Sequence, residues 1–359
     1  MAEFYFRGDT VGASNSNKAL GNFGVVDKDL DYTLEETPGD VFDDSFAPPI
    51  CDMSDLRGDS AARKRFVDTL GRAMEDTGLA ILTNHGIGFD SLQAVDAYAL
   101  ELFTAVPEEQ KLNFAARDYV YGGAFRRGYF AVQEWTPTRP NSVEAWEFFR
   151  DSFRVPGEDY EKALTYWPDE KFETALRPYW QACEELTLTL VRTLLEYLEL
   201  DPSIYDEELS PPYGVLRINH YPARAGGARD TEKTGRFMTH EDYGLITLLP
   251  ANPIEGLQVF HPERKAWSRV TAPGGSMILN SGDWLQMVSG DRFRSCSHRV
   301  CAPRDPEQQA VSRVSVPYLV LPRETSVLEV WPGCTPKYGP IGGADFMAKL
   351  AGKYVDYEN

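Results

Sequence analysis

The chain has 359 residues, enough for one large domain or two, and a hydrophobic content of 42% gives it material for a globular core. Its 36 basic and 55 acidic residues leave a net charge of −19. That balance speaks against a phosphate-backbone partner and against an anionic membrane surface. Residues 1–46 are rich in Gly, Asn and Asp with few periodic apolar positions, which predicts an irregular arm, either laid over the body or free of it. "APPICDMSDL" follows with proline punctuation and a short strand. In "SAARKRFVDTLGRAMEDTG" the apolar residues Phe66, Leu70 and Met74 recur every fourth position before Gly78, an amphipathic helix with a glycine stop. "LAILTNHG" reads as a buried strand, and "FDSLQAVDAYALELFTAV" as a second helix ended by Pro107. A long third helix fits "KFETALRPYWQACEELTLTLVRTLLEYLEL", closed by Asp201-Pro202.

From Pro212 the texture changes to short β-branched and aromatic runs separated by Gly, Pro and Asn. These are "GVLRINHY", "GLITLLP", "LQVFH", "AWSRVT", "SMILNSGDWLQMVS", "HRVCA" and "SRVSVPYLVL". Many short strands at close spacing predict a sandwich or barrel. A last helix fits "GGADFMAKLAGKYVD". Helices, then strands, then a helix make an α+β pattern. No apolar run approaches the roughly 18–20 residues of a spanning helix. The N-terminus lacks a basic start followed by an apolar stretch, so no secretory signal is expected. Five scattered cysteines without a CxxC pair argue against a disulfide framework and favour the cytoplasm.

Five histidines are few enough to read singly: His85, His220, His240, His261 and His298. In "MTHEDYGLITLL" His240 and Asp242 stand at i and i+2. In extended chain they point one way and Glu241 the other, so His240 and Asp242 can converge on one metal. A third ligand from a distant strand would make a two-histidine, one-carboxylate face that suits non-haem Fe(II). His298, in "SCSHRVCAPR", follows Asp242 after 55 intervening residues, and Arg313 and Ser315 follow in "SRVSVPY", again at i and i+2. A guanidinium beside a hydroxyl makes a carboxylate receptor. In "LRINHYP" one strand face carries Arg217, Asn219 and Tyr221, three polar residues that fit a wet pocket, while His220 turns away. His85 and His261 read as turn residues, and Cys296 shares the His298 face as a packed thiol. Arg126 and Arg127 read equally well as a solvated basic turn or as a segment near a substrate.

From about Pro48 onward the chain resembles the isopenicillin-N-synthase-like Fe(II)/2-oxoglutarate-dependent dioxygenases. "GLAILTNHGI", "LFTAVPEEQK", "RINHYP", "HEDYGLITLL", "GLQVF", "LNSGDWLQMVSGDRFRSCSHRV", "RVS" and "KYGPIGGADFMAKLAGKY" are similar to the family's segments in order and spacing. The resemblance implies a distorted double-stranded β-helix (jelly-roll) core within 206–325. A mainly helical region at 47–205 would flank it, with a C-terminal helix region at 326–359 beyond the 1–46 arm. It implies Fe(II) on His240, Asp242 and His298, with 2-oxoglutarate and O2 as cosubstrates. Arg313, Ser315 and Tyr221 would take the distal carboxylate, and Asn219 would sit near the metal end. "APRDPEQQ" lengthens the expected hairpin between His298 and Arg313. The implied reaction is oxidation of an unactivated C–H bond of a small molecule in specialised metabolism: hydroxylation, desaturation or ring closure. The presence of Asp242 weighs against halogenation. Two alternatives stay open: an iron oxidase that binds a substrate carboxylate at Arg313 and Ser315 without 2-oxoglutarate, and a non-catalytic binding protein of the same fold. Substrate and oligomeric state are not legible.

Overall fold

The computed structural model describes residues 32–115, 118–120, 125–132, 141–157, 159–223 and 234–355. Residues 1–31 of the expected arm lie outside the described residues. The strands are β1 Ile50–Asp52, β2 Leu79–Thr83, β3 Asp118–Val120, β4 Phe125–Phe130, β5 Glu144–Phe149, β6 Tyr213–Tyr221, β7 Gly235–His240 and β8 Ile246–Pro250. They continue with β9 Leu257–His261, β10 Ala266–Arg269, β11 Met277–Ser281, β12 His298–Cys301, β13 Arg313–Ser315, β14 Tyr318–Leu321, β15 Val327–Leu328 and β16 Ile341–Gly342. The helices are α1 Ser60–Asp76, α2 Phe89–Thr104, α3 Glu108–Asn113, α4 Tyr160–Leu164, α5 Glu170–Tyr197, α6 Asp283–Val288, α7 Pro306–Gln309 and α8 Gly343–Val355.

A major sheet runs β1-β2-β11-β8-β14-β6-β5-β4-β3, with β13 also on β6, and a minor sheet runs β10-β9-β12-β7. The sheets meet through two apolar clusters. One joins Leu79 and Ile278 to Val259 and Cys296, and the other joins Tyr221 and Val143 to Val300 and Phe237. This is the expected jelly-roll. Helix α5 buries Phe172, Leu176, Trp180, Cys183, Leu190 and Leu194 at helical spacing, and its Tyr179 hydroxyl donates to the Val316 carbonyl at 3.0 Å. Helices α1 and α2 pack against α5, so the helical layer covers the outer face of the major sheet.

Three segments depart from the sequence reading. The N-terminal half supplies β3, β4 and β5 to the major sheet, although that stretch read as helical or irregular. Strand β5, "EAWEFF", is buried at all six positions, so the alternation that marks a half-exposed strand is missing. "SMILNSGDWLQMVS" is not one strand: Gly282 ends the extended run, and α6 buries Trp284, Leu285, Met287 and Val288. "HEDYGLITLL" is also divided. His240 ends β7 in the minor sheet, and β8 begins in the major sheet at Ile246. Lesser breaks fall at Val316-Pro317, between β13 and β14, and in "APRDPEQQ", where Asp305 caps the short helix α7.

The described part of the arm lies on the minor sheet. The Thr239 amide and hydroxyl bond to the Leu34 and Thr33 carbonyls, and Phe42 bridges to Trp267. Arg299, fully buried, donates to Asp40 at 2.5 Å and lies 3.7 Å above the Trp267 ring.

Candidate active site

The β12–β7 register places His298 directly opposite His240. Their rings stand 4.3 Å apart. Asp242, two residues past the end of β7, turns its Oδ1 to within 3.6 Å of His240 Nε2 and 3.8 Å of His298 Nε2. One ligand atom from each residue lies within 4.8 Å of the other two, the spacing of donors around a single ion. Each imidazole is oriented by its own strand. His240 Nδ1 donates to the Met238 carbonyl at 2.7 Å and His298 Nδ1 to the Cys296 carbonyl at 2.9 Å. A carbonyl only accepts, so the protons sit on Nδ1 and both Nε2 lone pairs face inward. Burial, with His240 close by, lowers the His298 pKa and favours the neutral, ligating ring.

The Asp242 carboxylate is steered in the same way. Its Oδ2 accepts from Thr247 Oγ1 and from Asn280 Nδ2, each at 2.6 Å, leaving Oδ1 for the centre. Burial pushes its pKa up, but His298, His240 and the Thr247 hydroxyl outweigh that and hold it well below the usual carboxylate range. Glu241 does turn the other way, and it is not a solvated bystander. It is 2% exposed and accepts from the Tyr32 hydroxyl at 3.0 Å and from Ser297 Oγ.

The second group stands on the β13–β6 pair. Register sets Arg313 opposite Tyr221 and Ser315 opposite Asn219, so the four side chains share one face. Arg313 is 4% exposed, its guanidinium lies 5.1 Å from the Tyr221 ring centre, and its Nε donates to the Ile254 carbonyl at 3.3 Å. Its Nη1 is buried with no partner, and among the described residues no carboxylate lies within ion-pair distance. A buried guanidinium with an idle donor is costly unless an anion completes it. Burial pulls its pKa below the ordinary arginine value, partly offset by Tyr221 and Asp96. The chemistry of this group suits a carboxylate, with the guanidinium as its charged partner. At the first group, three ligands leave positions open on a metal.

Other residues fall outside this centre. His220 bonds Glu144 at 2.7 Å and stacks on Phe103, on the far side of β6 as expected. His85 Nε2 bonds the Gly275 carbonyl, and His261 ends β9 against Phe46. Arg127 pairs with Asp151 at 2.6 Å, and Arg126 is exposed. Sequence reasoning did not single out Asn280, whose amide is one of the two groups on Asp242. The polar Asn in the otherwise apolar "MILN" was the available signal.

A jelly-roll that brings two histidines, one carboxylate and a buried idle guanidinium together defines a mononuclear non-haem iron oxygenase. Residues 212–322 match the model of the 2OG-Fe(II) oxygenase superfamily, and residues 48–170 match that of the non-haem dioxygenase in morphine synthesis N-terminal region. A bi-functional coumaroyl CoA and feruloyl CoA ortho-hydroxylase of Ipomoea batatas is 30% identical over 316 residues, 85% of this chain and 80% of its own. A 2-oxoglutarate-Fe(II) type oxidoreductase of Emericella nidulans is 27% identical, over 84% of this chain and 88% of its own. A Neurospora crassa structure in complex with alpha-KG and 5-formyluracil superposes with a TM-score of 0.74 at 24% identity, covering 89% of this chain and 99% of that one. A Caulobacter crescentus 2OG-Fe(II) oxygenase family structure gives 0.69 at 24%, covering 84% and 97%. The last two carry the fold. The chain belongs to the 2OG-Fe(II) oxygenase superfamily. It is an Fe(II)- and 2-oxoglutarate-dependent dioxygenase. Among the described residues, no helix is long and apolar enough to cross a membrane.

Proposed function

We propose that His240, Asp242 and His298 hold the Fe(II). Arg313, Ser315 and Tyr221 then receive the distal carboxylate of 2-oxoglutarate, with Asn219 beside its metal end. The reaction is oxidation of an unactivated C–H bond of a small molecule in specialised metabolism. The observation that carries the reading is the conjunction of three converging donor atoms with a buried guanidinium whose Nη1 has no partner. Bound together, iron, 2-oxoglutarate and O2 supply the oxidising power, with succinate and CO2 as coproducts.

The chain's part is binding, orientation and exclusion of water. The Met238 and Cys296 carbonyls hold the two imidazole protons away from the centre. Thr247 and Asn280 hold Asp242 to one free oxygen. The Arg313 fork fixes the cosubstrate's far end, so its reacting end meets the open face in one orientation. The ortho-hydroxylase activity in the names of the Ipomoea batatas relatives favours hydroxylation over desaturation or ring closure. The same reading assigns residues 1–46 to an arm, 47–205 to an N-terminal region, 206–325 to the oxygenase core and 326–359 to a C-terminal helix region. It gives the enzyme no nucleic-acid or membrane partner, and five cysteines outside any disulfide suit the cytoplasm. Fe(II) and 2-oxoglutarate titrated without oxygen, followed by a substrate screen read as succinate release, test it. Consumption of O2 and substrate without succinate would transfer Arg313 and Ser315 to a substrate carboxylate instead.

A further inference from the structure

The sheet face that carries Arg313, Ser315, Asn219 and Tyr221 continues one step further, to a pair of charged side chains that the reading above leaves unused. On β6, Arg217 stands two residues before Asn219 and shares its face. The β5–β6 register sets Glu147 opposite Arg217, and the β4–β5 register sets Gly128 opposite Glu147. The next row toward the cosubstrate end is Phe130, Ala145 and Asn219. Gly128, beside Glu147 on β4, and Ala145, two residues before Glu147 on β5, supply almost no bulk around the charged pair.

Arg217 belongs to the neighbourhood of the iron centre. Its Nε donates to Asn219 Oδ1 at 2.8 Å. Its guanidinium lies 5.7 Å from the Phe237 ring centre, and Phe237 packs edge-on against His240 at 4.6 Å. One aromatic ring therefore separates Arg217 from an iron-binding imidazole. Phe130 stands 5.6 Å from the same guanidinium, a second aromatic neighbour.

Arg217 Nη1 is bound to Glu147 Oε1, and Nη2 and Oε2 have no hydrogen-bond partner among the described residues. The side chains keep 22% and 7% of their surface accessible. The pair thus presents one donor beside one acceptor at no net charge, with two phenyl rings 5.6 and 5.7 Å from the guanidinium. A carboxylate approaching Arg217 would meet Glu147 as a like charge. A neutral ring compound with a carbonyl next to an N–H satisfies both atoms and can pack against the neighbouring rings.

We propose that Arg217 and Glu147 are the specificity-determining residues of the substrate subsite, and that they select a neutral, planar ring compound with an acceptor beside a donor, of the lactam or cyclic-amide class. The inference rests on the assignment of iron and 2-oxoglutarate given above. The test uses the full chain with Fe(II) and 2-oxoglutarate bound, without oxygen, and two probes of matched size, neutral 2-quinolone and anionic 2-naphthoate. Calorimetry should show 2-quinolone binding about tenfold or more tighter than 2-naphthoate. Glu147→Gln keeps the shape and leaves the Arg217 charge uncompensated, so it should shift that ratio about tenfold or more toward 2-naphthoate. Arg217→Gln should weaken 2-quinolone about tenfold, with thermal melts confirming that both variants fold. Equal affinities in the wild type, a ratio unmoved by Glu147→Gln, or no saturable binding of either probe would each overturn the subsite. Fe(II) and 2-oxoglutarate binding, measured first on the same wild-type sample, separates failure of the subsite from failure of the assignment beneath it.

Discussion

Adjacent carboxylates of opposite orientation allow the ligand assignment to be tested within one dipeptide. Asp242→Ala removes the oxygen on which both imidazoles converge. Loss of an outer-shell partner alone lowers metal affinity about 10–100-fold, so loss of this ligand should exceed about 100-fold. Glu241→Ala removes an equally buried carboxylate from the other side of the chain. It removes the carboxylate to which the Tyr32 hydroxyl and Ser297 Oγ donate. Each hydrogen bond to a charged group contributes about 1.5–3 kcal/mol, and both hydroxyls can rotate toward other acceptors, so the expected destabilisation is about 2–4 kcal/mol. Urea melts of the metal-free protein read that cost. Anaerobic Fe(II) titration, corrected for folded fraction, should find Glu241→Ala within about threefold of wild type, because the ligand set itself is untouched. Equal loss of iron affinity in the two variants would refute the opposed-face reasoning. Unchanged stability in Glu241→Ala would refute the role of Tyr32 and Ser297 as its buried partners.

Arg313→Leu should raise the 2-oxoglutarate requirement about 10–100-fold, the equivalent of one hydrogen-bonded charge, with Fe(II) affinity preserved. The cosubstrate-free variant should be at least as stable as wild type, since an idle buried cation is removed; a urea midpoint well below wild type would contradict this. Asp40→Ala leaves the fully buried Arg299 guanidinium without its carboxylate and should cost about 3–5 kcal/mol; a cost below 1 kcal/mol would show that the arm is not anchored there. Burial raises Asp96 to about 6 despite the attraction of Arg313. A raised carboxyl contributes stability that is fully present below its unfolded value, near 3.8, and is lost as pH rises through about 6. Asp96→Asn should therefore gain on wild type between pH 4 and pH 7 by about 1–3 kcal/mol, and melts at both pH values showing no such gain would sink the prediction.

The chemistry of the site was more legible in the sequence than its backbone. The i, i+2 argument for His240 and Asp242 needs only that the chain be extended locally, and it survives although a strand ends between them. Arg313 and Ser315 were legible for the same reason, being a true strand pair. What escaped was whatever depends on partners far away in sequence. Strand β5 carries buried Glu144 and Glu147 because Lys111 pairs with the first, which Tyr129 and His220 also hydrogen-bond, and Arg217 pairs with the second. A sequence pattern sees two acids and no clean alternation. The burial of Glu241 depends on Tyr32, 209 residues away, and no local pattern reports that.

The two sheets divide the task, and their junction explains why Asp242 is not on a strand. The minor sheet holds both histidines on paired strands, so the His240–His298 spacing is set by register and is stiff. The major sheet holds Arg313, Ser315, Asn219 and Tyr221, the residues proposed above to set the direction of the cosubstrate. The carboxylate must answer to both. It lies on the link from β7 to β8, and its Oδ2 is held by Thr247 on β8 and Asn280 on β11, both in the major sheet. Oδ1 meets the histidines of the minor sheet. A sliding of one sheet against the other would therefore disturb the Asp242 geometry before it disturbed the histidine pair. Thr247→Val and Asn280→Leu, which cut the major-sheet half of that tie, should each weaken Fe(II) about 10-fold or more while leaving the histidine spacing intact. Zinc K-edge absorption on the zinc-loaded variants reads the outcome directly. Two imidazole scatterers should be retained with a lengthened or lost carboxylate oxygen, and a lost imidazole would show that the minor sheet does not hold its pair independently.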